Sequence, residues 1–344
     1  MTAFPTPERP WLRGAFTALV TPFTADGELD EAEFRRLVTW QVLAGIDGLV
    51  PVGTTGEAPT LSTEERERLI AMTVEIVGAA RARRPGIPVV AGTGTNDTRA
   101  TIAATRRAAE LGADAALVVA PYYNRPDARM LRAHFEAVAD EGGLPVVVYN
   151  VPGRTGTNVD ADTFLRLAEH PRVVAVKEAS GDLEQLAVIC RDRPRDVAVL
   201  SGDDAATLAI LAMGGDGVVS VASNEIPAEM ASLCSAALGG RWDEARRIHE
   251  RWLPLMRANF QGAPSPVPVK AAMASMGILS SDTLRAPMLP LDDAPRTRLH
   301  SLLRDLALVD GGGRFAGAPG STTGLGSTAA SAGRGTRSGA EAVA

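Results

Sequence analysis

The sequence has little of several things that would each mark a function class. Its 344 residues include two cysteines, four histidines and three tyrosines, and aromatic residues make up only 4%. Cys190 and Cys234 lie apart, with no C-x-x-C spacing, which suits free thiols in a reducing cytosol rather than a disulfide framework or a zinc site. His134, His170, His249 and His300 fall on helical stretches or their ends without ligand spacing and read as structural. No basic block stands out against a formal charge of −6, so nucleic acid is not expected as a partner. No apolar run approaches the roughly 18 residues that a membrane span needs. The first eleven residues hold three prolines and no apolar run, unlike a signal peptide. A cytoplasmic protein is the expectation.

What the chain does have is apolar material, 45% of its residues, dealt out in short runs. Gly14–Val20, Leu49–Val52, Pro88–Gly92, Ala115–Ala120, Pro145–Tyr149, Val173–Lys177, Val197–Leu200 and Gly217–Val221 read as buried strands. A helical stretch follows each, at a spacing of about 30 residues, as in successive strand–helix–strand units. Helix starts are marked by Asp30, by Ser62 with Glu65 as a capping box, by Asp127 and by Asp160 or Asp162. Alternation of this kind predicts parallel pairing with right-handed crossovers. Eight units closing on themselves predict an α/β fold, a (β/α)8 TIM barrel over 13–240. An open doubly wound sheet competes, but no G-x-G-x-x-G follows the first strand. Residues 241–310 offer helices without strands, a C-terminal helical appendage. Residues 1–12 form an N-terminal arm. Residues 311–344 are rich in Gly, Ser, Thr and Ala and read as a disordered tail. The arginines of 81–84 read as a solvated helix end.

In such a barrel the chemistry collects at the C-terminal ends of the strands. The second strand delivers Gly53-Thr54-Thr55-Gly56-Glu57, the fourth Tyr122 and Tyr123, and the fifth Tyr149 and then Arg154. The sixth ends in Lys177, the seventh in Ser201-Gly202-Asp203, and the eighth carries Val219. All three tyrosines sit at strand ends, where core packing alone would not confine them. A lysine ending an apolar strand is poorly solvated, which favours its neutral form and makes it a candidate nucleophile for carbonyl compounds. Alternatively, Lys177 caps its strand and pairs with a carboxylate such as Glu178. Thr54 and Thr55 either hold an anion on a glycine-flanked turn or cap a helix. Tyr149 either relays protons or is a satisfied core phenol. Arg154 either holds a substrate carboxylate or forms a surface ion pair. Asp203 and Asp204 read as helix caps rather than metal ligands.

Taken together, Gly-Thr-Thr-Gly-Glu at 53–57, Pro-Tyr-Tyr-Asn-Arg-Pro at 121–126, Tyr-Asn-Val-Pro-Gly-Arg-Thr-Gly at 149–156, Val-Lys-Glu-Ala-Ser-Gly at 176–181, Leu-Ser-Gly-Asp-Asp at 200–204 and Pro-Val-Pro-Val-Lys at 266–270 resemble the dihydrodipicolinate synthase family of pyruvate-dependent class I aldolases. The resemblance spans roughly residues 13–308. It implies a lyase that condenses pyruvate with L-aspartate 4-semialdehyde in lysine and diaminopimelate biosynthesis. Other pyruvate aldolases of the superfamily, such as N-acetylneuraminate lyase, and a non-catalytic binding paralogue are the alternatives. By resemblance, Lys177 forms the imine, and Tyr149, Thr54 and Tyr123 relay protons, Tyr123 in a neighbouring subunit's site. Thr55 holds the pyruvate carboxylate, Arg154 the semialdehyde carboxylate, and Gly202 and Val219 line the site. Glu57 reads as structural. No metal or organic cofactor is implied, and a homotetramer built from dimers is. Feedback-inhibited members bind lysine near Tyr122 and Asn96, with an acidic residue one helical turn past that asparagine. Here that position is Ala100, and Arg66 stands where some members have histidine, so weak or absent lysine inhibition is implied.

Overall fold

The computed structural model describes residues 10–80 and 86–309. The N-terminal residues 1–9, the arginines of 81–84 and the tail from 310 onward lie outside the described residues. Eight strands run in order: β1 Gly14–Ala18, β2 Gly48–Val50, β3 Val90–Gly92, β4 Ala115–Val119, β5 Val146–Asn150, β6 Val173–Glu178, β7 Ala198–Ser201 and β8 Gly217–Ser220. They pair in parallel in the spatial order β2-β1-β8-β7-β6-β5-β4-β3. A parallel bridge between Leu49 and Val89 brings the two ends together, and Gly92 N–H donates to Pro51 O at 3.0 Å. The result is the expected (β/α)8 barrel.

The helices between strands are α1 Glu31–Ala44, α2 Thr63–Ala80, α3 Thr98–Glu110, α4 Ala128–Glu141, α5 Pro152–Thr155, α6 Ala161–Leu167, α7 Leu183–Asp192 and α8 Thr207–Ala212. Then come α9 Pro227–Leu238, α10 Trp242–Ala258, α11 Val267–Ser275 and α12 Asp293–Asp305. The start signals act as the sequence predicts. Asp30 caps α1 and Asp127 caps α4. Asp160, rather than Asp162, caps α6. Ser62 and Glu65 exchange bonds reciprocally, Ser62 N–H to Glu65 Oε2 at 2.8 Å and Glu65 N–H to Ser62 Oγ at 3.2 Å. Gly45 ends α1 in the left-handed conformation, where a side chain would be strained.

Two apolar layers result. Phe16, Ala18, Val50, Leu117, Val147, Tyr149, Ala175, Leu200 and Val219 fill the barrel interior. Their strand neighbours, such as Ala15, Val118, Val148 and Val176, pack outward with the helices. Both strand faces are covered, which explains why the strands read as continuous apolar runs rather than alternating ones. Among the described residues, no helix is long and apolar enough to cross a membrane.

Candidate active site

Alternation along β6 decides the fate of Lys177. Ala175 points inward and Val176 outward, so Lys177 points inward and Glu178 outward. The pairing of Lys177 with Glu178 is therefore excluded. Glu178 instead closes a network on the helix side. Its Oε2 accepts from Asn150 Nδ2 at 3.0 Å and Gln185 Nε2 at 3.1 Å, and its Oε1 from Ser180 N–H at 2.6 Å. This network holds the C-terminal ends of β5 and β6 and the start of α7 together.

Lys177 is 6% exposed. Among the described residues no carboxylate lies within ion-pair distance of it. Its Nζ sits 4.1 Å from the centroid of the Tyr149 ring, and the two residues are direct register partners on β5 and β6. Tyr149 is buried, and its hydroxyl makes no hydrogen bond among the described residues.

Tyr149 lines a cavity of about 250 Å³ together with Thr54, Arg154, Tyr122, Arg66 and Val119. Lys177 is not in the cavity wall itself; it meets the cavity through the Tyr149 ring. The Thr54 and Thr55 hydroxyls have no partner among the described residues, so neither caps a helix. Arg154 lies on α5, a short helix directly after β5. Pro152 at its first turn and Gly156 after its end set those limits. Arg154 Nη2 donates to Ser265 O at 3.2 Å. No acidic side chain pairs with it among the described residues, so it is not a surface ion pair.

Gly202 and Val219 lie at the ends of neighbouring strands but outside the cavity wall. Gly202 N–H donates to Glu178 O at 2.7 Å, and a Cβ there would come within 2.6 Å of the Ala179 Cβ. Only glycine permits that close approach. Tyr123 is 91% exposed, with a φ of 75° that a tyrosine rarely adopts. It takes no part in the cavity of its own chain. Of the paired aspartates, Asp203 accepts from Ala205 N–H at 2.8 Å and closes a turn before α8. Asp204 does not cap. It is buried and accepts from Val221 N–H and Ala222 N–H at 3.0 and 2.9 Å, tying the end of β7 to the end of β8.

The chain has two lysines in all, Lys177 and Lys270. Their surroundings are opposite. Lys270 is fully buried, and its Nζ donates to Glu57 Oε1 and Thr21 O, both at 2.8 Å, and to Thr283 O. Glu57 sits in the left-handed region at φ 56°. Its Oε2 accepts from Arg285 N–H at 3.0 Å. Thr21 Oγ1 donates to Gly56 O at 2.7 Å. The Gly53–Glu57 turn is thus anchored from the C-terminal helical region. Periodicity could not reveal this, because the partners are more than 200 residues apart.

These features define a class: a (β/α)8 barrel whose sixth strand presents a buried primary amine beside a phenol at the C-terminal mouth. The chain belongs to the Dihydrodipicolinate synthetase family, whose pattern matches residues 11–306. It is 46% identical over 299 residues to the 4-hydroxy-tetrahydrodipicolinate synthase of Koribacter versatilis, covering 87% of this chain and 97% of that one. It is 45% identical to the enzyme of the same name from Syntrophobacter fumaroxidans, covering 86% and 99%. Among solved structures, dihydrodipicolinate synthase from Thermotoga maritima superposes with a TM-score of 0.82 at 40% identity, covering 86% and 99%. A lysine-bound enzyme from Cyanidioschyzon merolae superposes with a TM-score of 0.83 at 39% identity, covering 88% and 100%.

Proposed function

We propose that this chain condenses pyruvate with L-aspartate 4-semialdehyde through a Lys177 imine to give 4-hydroxy-tetrahydrodipicolinate. The observation that carries the reading is the amine of Lys177, buried, free of any carboxylate among the described residues and in contact with Tyr149. An amine not held in a salt bridge is free to approach and attack the carbonyl carbon of a ketone. The curated relatives compared carry the synthase name, which favours this substrate pair over other pyruvate aldolases.

The reaction runs by stages. The Lys177 nitrogen adds to the pyruvate carbonyl carbon, and water leaves to give an iminium. The iminium draws electrons from the adjacent methyl group, which loses a proton and becomes an enamine. The enamine carbon attacks the semialdehyde, forming the carbon–carbon bond and taking a proton onto the new hydroxyl. The amine of the semialdehyde part then closes on the imine carbon and displaces Lys177. Tyr149 and Thr54, both in the cavity wall, carry the protons. Thr55 and the neighbouring backbone N–H groups hold the pyruvate carboxylate, and Arg154 the second carboxylate. Gly202 and Val219 bound the mouth on the β7–β8 side. Tyr123 projects from its own chain and completes the relay in a partner subunit, which makes a dimer-based oligomer the working form. No step calls for a metal or an organic cofactor.

Treating the protein with pyruvate and borohydride tests this directly. A mass increase of one reduced pyruvate adduct on the peptide holding Lys177 is expected. An unmodified Lys177 refutes the imine. A panel of aldehydes then tests the second substrate, and turnover of another aldehyde in place of aspartate semialdehyde refutes that part alone.

A further inference from the structure

We propose that the opposite end of the barrel carries a second binding site, for a compact polyvalent oxyanion of the phosphate class. A cavity of about 440 Å³ lies there, walled by Arg13, Arg191, Arg193, Arg195, Asp216 and Cys190. Topology assembles it. Arg13 directly precedes β1, Asp216 directly precedes β8, and Arg193 and Arg195 lie between α7 and β7. Strands β1, β8 and β7 are parallel neighbours, so their entry points meet at one rim. Lys177, Tyr149 and Thr54 lie at strand exits, on the other face of the barrel.

The charges around this cavity do not cancel. Asp216 pairs with Arg193 at 2.7 Å and accepts from Val199 N–H at 2.9 Å. Arg193 also donates to Val197 O and to Gly214 O. Asp192 holds Arg191 through two contacts of 2.6 Å. Arg13 and Arg195 are left with no ion pair among the described residues. The Arg13 Nε is also buried without a hydrogen-bond acceptor among the described residues. Burial pushes the Cys190 thiol up, so it adds no negative charge. A buried guanidinium N–H without an acceptor is unfavourable, and an oxyanion supplies the acceptor. Guanidinium forks match the oxygens of a phosphate group, and a recess lined by one sign of charge concentrates such anions. The cavity volume is in the range of small-ligand sites, roughly 300–1,000 Å³.

The test is calorimetric titration of the full chain with pyrophosphate at constant ionic strength, with pyruvate present to fill the catalytic mouth. Saturable binding is expected, with inorganic phosphate binding at the same site. Arg195→Met, an exposed position, and Arg13→Met should each weaken pyrophosphate binding by about tenfold. Turnover by Arg195→Met should match the unmodified protein. Absence of binding, loss of binding when pyruvate is added, or unchanged affinity in both variants overturns the proposal. Malonate binding as tightly as pyrophosphate overturns the assignment to the phosphate class.

Discussion

Lys177 and Tyr149 stand opposite each other in the β5–β6 register, with the lysine nitrogen 4.1 Å from the centre of the tyrosine ring. Parallel pairing sets that distance, because register partners on adjacent strands project their side chains to the same face. The amine and the phenol are thus placed by the sheet itself and not by a loop.

Replacing Lys177 with Ala should lower turnover by at least about three orders of magnitude, since the covalent route is lost. The melting temperature should stay level or rise, because an unpaired amine no longer has to be buried. Steady-state kinetics and a thermal melt check both. Borohydride labelling is easy to interpret here, since the chain's other lysine, Lys270, is fully buried in an ion pair.

Tyr149→Phe keeps the ring beside Lys177 and removes only the hydroxyl. Turnover should fall by about 10²- to 10⁴-fold, the usual contribution of a positioned acid–base group. Stability should hardly change, since that hydroxyl has no partner among the described residues. Imine formation measured by borohydride trapping should slow in parallel with turnover.

Lys270→Met leaves the Glu57 carboxylate buried without its cation. A loss of about 3–5 kcal/mol in unfolding free energy is expected. The double variant Lys270→Met with Glu57→Gln should recover part of it. Urea unfolding measures both. A rise in KM for pyruvate is expected as well, because the Thr54–Thr55 turn loses its anchor.

Stability should fall with acid in two windows. Burial pushes the His134 imidazole down to about 4 from its usual 6.5. The unfolded chain therefore takes up a proton that the folded chain refuses, and stability drops as pH falls from 6.5 toward 4. The hydrogen bonds from Arg285, chiefly, hold Glu65 at about 2 rather than 4.5. Its contribution is complete above 4.5 and is lost as pH falls toward 2. Each is on the order of 3 kcal/mol. Urea unfolding across this range should show His134→Gln flattening the upper window and Glu65→Gln the lower one.

L-Lysine should inhibit weakly or not at all, because Ala100 offers no carboxylate to a lysine amine. An inhibition constant in the sub-millimolar range would refute this.

Much of the candidate site was legible because its residues break local patterns. A lysine closing an apolar strand, tyrosines confined to strand ends and a doubled threonine between glycines have no easy packing explanation. The eight-fold alternation was legible because buried parallel strands and capped helices leave distinct local signatures. Other features left no such mark. Asp204 looked like a helix cap, yet it reaches the backbone of Val221 and Ala222. Glu178 looked like a partner for Lys177, yet alternation along the strand turns it to the opposite face.

The succession of strands, the helix starts and the choice of Lys177 as the candidate reactive amine follow from the amino-acid sequence alone, since each depends on residues within a few positions of one another. Closure of the barrel decided the rest. It joined Glu57 to Lys270 and Arg285, gathered Arg13, Arg193 and Arg195 from the entries of β1 and β7 at one rim, and set Lys177 against Tyr149. Those contacts link residues that are neighbours only after folding, because hydrogen bonding and burial act through space while sequence patterns record only local spacing.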